Sequence, residues 1–75
     1  MGAVTQEQLI QIHINGEPKQ VVANVTVAML LAELGLAQER LAIELNLDIL
    51  PRSRWSESSL SEGDKLEIVH FVGGG

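Results

Sequence analysis

Seventy-five residues, no cysteine and a net charge of -5 set the outer limits on this chain. A chain of this length is one small domain with a thin core, and without cysteine it has neither a disulfide nor a cysteine-based metal site. Only five lysines and arginines are present, with no basic stripe, which argues against nucleic acid; the acidic balance suits docking on a basic patch of another protein.

The proportions, 45% hydrophobic and 20% charged, are those of a folded globular domain. The longest apolar run, residues 27–32, is far short of the roughly 20 residues that a membrane span needs. The N-terminus lacks the basic-then-apolar order of a secretion signal. Met1-Gly2 opens like a myristoylation site, but that pattern wants Ser or Thr where Gln6 stands. A cytoplasmic location is expected, consistent with the absent cysteine.

Residues 1–8 show no period and read as a flexible leader to a domain spanning 9–72. From Leu9 to Asn15 the chain alternates, with Ile10, Ile12 and Ile14 on one face and Gln11 and His13 on the other, the pattern of a half-buried strand. Asn15-Gly16 is a strong hairpin signal because both residues tolerate positive φ. A second strand returns over residues 17–23. Pro18 removes a backbone donor, which places that strand at an edge or starts it after the proline.

Thr26 reads as a helix N-cap, with Val27, Leu30, Leu31 and Leu34 following at i, i+3, i+4 and i+7. Gly35 fits the left-handed residue that ends such a helix. The helix is too short to form alone, so it must be held by packing on the sheet. Residues 41–46 form a third strand with Leu41, Ile43 and Leu45 on one face. Asn46-Leu47-Asp48 turns the chain into a short return at Ile49-Leu50-Pro51. Residues 52–59 are polar and irregular apart from Trp55. Residues 61–64 turn again, and a final strand over 65–72 feeds into Gly73-Gly74-Gly75.

This order, ββαββ with a short extra strand, predicts an α+β domain with one helix on one face of the sheet. The first and last strands are the most apolar and are expected to be central neighbours. The glycines, residues 73–75, read as a flexible tail. Glycine is costly to order, and a run of it makes sense where a partner must approach the backbone closely, as in a narrow channel. The group so delivered is the α-carboxylate of Gly75. The competing reading is a frayed end or a linker remnant.

Several pieces together resemble the ThiS family of sulfur carriers within the ubiquitin-like β-grasp fold. They are Ile14-Asn15-Gly16-Glu17, Thr26-Val27 with Leu30-Leu31, Ala42-Ile43-Glu44-Leu45-Asn46, Leu50-Pro51-Arg52-Ser53-Arg54-Trp55, and Glu62-Gly63-Asp64 followed by Leu66 to Gly75. The Pro-Arg-Ser-x-Trp segment discriminates best. Leu47 departs from the glycine many relatives carry, so the turn type there stays open. A third glycine, Gly73, exceeds the two that suffice.

The resemblance implies a carrier and not an enzyme, with no cofactor of its own. It implies a Gly75 that is adenylated by an E1-like, ThiF-like adenylyltransferase using MgATP and then converted to a thiocarboxylate with sulfur from a donor of the cysteine desulfurase type. The thiocarboxylate passes its sulfur to a ThiG-like thiazole synthase. Gly74 supplies the thin neck. Two alternatives share the fold and tail: a carrier like the small subunit of molybdopterin synthase, and a ubiquitin-like modifier that forms isopeptide bonds.

Other side chains have weaker readings. His13 and His70 are expected to become neighbours if the first and last strands pair, but no third metal ligand is evident, and surface imidazoles are the default. Trp55 is expected to plug the core in preference to serving as a docking anchor. Arg52 and Arg54 are expected to be solvated in preference to contacting ATP or a partner. Val69 and Phe71 lie on the face opposite Leu66 and Ile68, and form either an apolar docking patch beside the tail or a surface half-covered by a loop.

Overall fold

The computed structural model describes residues 8–71. The leader and the glycine tail expected from the sequence therefore lie outside the described residues, apart from Gln8. Five strands form one mixed sheet: β1 (Leu9–Ile14), β2 (Glu17–Val22), β3 (Leu41–Leu45), β4 (Asp48–Leu50) and β5 (Lys65–His70). Their spatial order is β2-β1-β5-β3-β4. β1 and β5 are parallel neighbours; the other pairs are antiparallel. The most apolar strands are thus interior, and the strand with Pro18 is at an edge, as the sequence implied.

Each turn follows from its residues. Asn15 and Gly16 take φ of 50° and 86°, the left-handed pair that matches the twist of a two-residue hairpin. Asn46 and Leu47 do the same at 52° and 76°. This answers the open turn type: the tight turn is kept although a leucine occupies the position that glycine would fill without strain.

One helix, α1 (Val27–Glu33), covers one face. Its first amides are all satisfied. Val27 N–H donates to Ser58 O at 3.0 Å, Ala28 N–H to Trp55 O at 3.0 Å, and Met29 N–H to Thr26 Oγ1 at 3.1 Å. The other end closes through Gly35 at φ 73°, with Gly35 N–H on Ala32 O and Leu36 N–H on Leu31 O. That pair of bonds is the Schellman closure of a helix. Leu34, the last residue of the expected apolar stripe, falls at the C-cap and is 37% exposed.

Val27, Leu30 and Leu31 of α1 pack with Ile12, Ile43 and Leu66, all essentially fully buried. Burying one such side chain contributes about 1.5–3 kcal/mol, which is what holds a seven-residue helix in place. Trp55 completes the core with its Nε1–H donating to Leu50 O at 2.9 Å, confirming the plug. The segment read as irregular is more ordered than expected: Arg52–Arg54 form a 3-10 turn, and a second one spans Gln38–Arg40. No helix among the described residues is long and apolar enough to cross a membrane.

Candidate functional site

β5 is the strand that leads in sequence toward the glycines. Leu66 and Ile68 point into the core; Lys65, Glu67 and Val69 point away from the helix. β5 ends at His70, where its partner β3 begins at Leu41; of the two further residues expected in the strand, Phe71 lies beyond its end and Val72 lies outside the described residues. One more bond, Phe71 N–H to Arg40 O at 2.8 Å, carries the ladder past the strand end.

Val69 and Phe71 are both exposed, at 51% and 56%, so no described loop buries either one. Ala42 lies opposite Val69 on β3. Glu44 is paired with Glu67 on one side and with Ile49 on the other, so all three share the outer face. Ile49 is 77% exposed. The outer face thus exposes Ile49, level with Glu44 and Glu67, and Val69 and Phe71 nearer the end at which β5 finishes. Ile49 was not singled out from sequence; β4 has three residues, too few to display an alternating period.

The two histidines weighed as neighbours are not brought together. In the observed register His13 sits opposite Lys65, so His70 is five residues further along β5 and the imidazoles are not neighbours. Among the described residues no group of three or more metal-ligating side chains exists. Arg52 donates to Glu39 O at 2.9 Å and lies 5.3 Å from the Trp55 ring centroid, a cation over an aromatic face. Arg54 pairs with Glu57 at 3.6 Å on the surface. Both arginines are exposed, as expected, while making these contacts within the domain.

A five-stranded mixed sheet with one helix on its inner face and a strand that runs out toward the C-terminus defines a β-grasp domain of the ubiquitin-like kind. Within that class the chain belongs to the ThiS family, whose model matches residues 12–75. It is 32% identical over 66 residues to the sulfur carrier protein ThiS of Escherichia coli, covering 88% of this chain and all of that one. A crystal structure of the thiamine biosynthesis protein ThiS from Geobacter metallireducens superposes with a TM-score of 0.77 at 33% identity, covering 88% of this chain and all of that one. Higher identity, 46% over 66 residues, is found to a protein named thiazole synthase in Paramagnetospirillum magneticum. That match takes in 88% of this chain but 20% of the relative, so the chain spans about a fifth of that protein's length.

Proposed function

We propose that this chain is a sulfur carrier in thiamine biosynthesis and that Gly75 is the residue it loads. One observation carries the reading most: 66 residues of the chain are similar to a whole sulfur carrier protein, and 66 are similar to a segment of proteins named thiazole synthase. A carrier joined in one chain to the enzyme that consumes its cargo is held permanently at high effective concentration.

The chemistry needs no catalytic side chain of the carrier. A carboxylate resists attack because its oxygen is a poor leaving group. An E1-like adenylyltransferase joins the Gly75 carboxylate to AMP from MgATP, releasing pyrophosphate. A persulfide on the sulfur donor, of the cysteine desulfurase type, then attacks the carbonyl carbon and AMP leaves. A thiol cleaves the resulting sulfur–sulfur bond, becomes a disulfide itself, and leaves the thiocarboxylate on Gly75. Thiazole synthase receives that sulfur. Gly73 and Gly74, lacking Cβ atoms, let the terminus enter a narrow channel. Val69 and Phe71 give each partner an apolar surface beside the tail.

The test is an intact mass after incubation with the cognate adenylyltransferase and MgATP. The chain ending at Gly75 should gain one AMP, and with the sulfur donor present should end as the thiocarboxylate. Deleting Gly75 should abolish both. An unchanged gain after that deletion would refute the reading.

A further inference from the structure

The two outermost strands are both protected against pairing with another chain. β2 carries Pro18 and Lys19 at its edge, and β4 has only three residues. Proline, lysine and brevity are common ways of blunting a sheet edge. A third edge, inside the sheet order, is left open.

β5 is bonded along its length on one side only. Lys65, Glu67, Val69 and Phe71 direct their backbone groups to β3, as the bonds from Asn46 N–H to Lys65 O and from Phe71 N–H to Arg40 O show. Leu66, Ile68 and His70 direct theirs to the other side. There β1 is in register with Lys65 and Leu66 alone before the chain turns away at Asn15 and Gly16.

Asn15 extends that ladder by one step. Its N–H donates to Leu66 O at 2.9 Å; its Oδ1 accepts from Ile68 N–H at 2.8 Å; its Nδ2 donates to Ile68 O at 3.3 Å. The side-chain amide thus stands where the next peptide of a strand would be. The following step belongs to His70. By the same alternation its N–H and C=O face away from β3, while the described contacts of β1 and Asn15 stop at Ile68, and its side chain is exposed although it falls on the helix-facing side.

We infer that an extended strand of thiazole synthase pairs with this open edge of β5, starting at the backbone N–H and C=O of His70. The inference rests on the functional reading above and adds the docking geometry to it. Main-chain pairing at His70 sets the direction and register of the chain shortly before the glycines, which is what a partner needs if the terminus is to enter its active site. Thiazole synthase is the occupant because it is the protein whose relatives carry a segment like this chain within their own.

Residue-resolved amide exchange tests this on the wild-type protein, free and with thiazole synthase. The His70 amide should exchange rapidly in the free domain and become protected in the complex. The Phe71 amide, already bonded to Arg40, should be slow in both. Two variants separate backbone from side chain: H70A should bind as wild type, while H70P, which removes the N–H, should weaken binding about tenfold with an unchanged thermal midpoint.

A complex in which the His70 amide stays unprotected overturns the inference, as does equal binding by H70A and H70P. Protection by the adenylyltransferase but not by thiazole synthase overturns the assignment of the occupant. If the wild type is loaded with AMP yet does not bind thiazole synthase, the edge proposal falls and the loading chemistry stands. If it is neither loaded nor bound, the functional reading fails with it.

Discussion

Leu47 holds the least favourable backbone conformation among the described turns. Its φ of 76° belongs to the left-handed region, where a side chain other than that of Asn, Asp or Gly is strained by roughly 1–2 kcal/mol. Nothing in the fold repays that strain at the leucine, which is 84% exposed. Its neighbour Asn46 is what fixes the turn: Asn46 Nδ2 donates to Asp64 Oδ1 at 3.1 Å, and Asn46 Oδ1 accepts from Lys65 N–H at 2.9 Å. Replacing Leu47 with glycine should therefore stabilise the domain, by about 1 kcal/mol once the extra entropy of unfolded glycine is deducted. Urea denaturation reads this directly; a loss of stability would show that the leucine makes a contact that outweighs its strain. The sequence showed Asn46-Leu47 as a turn but not its type, because the tie that selects it comes from Asp64 and Lys65, eighteen or more residues away. Asn15 repeats the lesson. Its place in a hairpin was legible from Asn-Gly, whereas its grip on Ile68, 53 residues on, was not.

At the scale of elements, α1 was the most legible part of the chain, because its start, stripe and stop are all local. Thr26 caps it, Val27, Leu30 and Leu31 are buried, and Gly35 ends it. The segment 52–59 was the least legible, for a physical reason. It serves the helix through main-chain carbonyls, those of Trp55 and Ser58, and a carbonyl is the same whatever residue bears it. Three donors at the helix start thus depend on one side chain and two loop carbonyls. Thr26→Ala removes the side-chain acceptor and leaves Met29 N–H without it, so it should cost about 1 kcal/mol. Thr26→Ser, which keeps the hydroxyl, should recover most of that loss. Thermal unfolding of the two variants distinguishes a lost cap from a packing defect: if serine is as damaging as alanine, the methyl group and not the hydrogen bond holds the helix start.

The whole molecule divides its labour between the two faces of one sheet. The buried side chains, Ile12, Ile43, Leu66 and Ile68 among them, lie on the helix side, and stability comes from there. The outer face instead places Glu44 directly across from Glu67, a like-charge pairing that works slightly against the fold. It also leaves Ile49, Val69 and Phe71 in solvent. A face that adds little to stability yet holds apolar and acidic groups together is suited to an apolar partner surface with a basic rim. The double variant Val69→Ser with Phe71→Ser isolates this role, since both side chains are more than half exposed and exposed substitutions usually change stability by no more than about 0.5 kcal/mol. The thermal midpoint should stay where it is. Affinity for the adenylyltransferase, measured by titration calorimetry, should fall by tenfold or more, because an aromatic anchor at the centre of an interface commonly contributes above 1 kcal/mol by itself. AMP loading at saturating enzyme should recover, since the tail proposed to carry the chemistry is intact. Unchanged affinity in a folded double variant would remove this face from docking and leave recognition to the strand edge and the glycines.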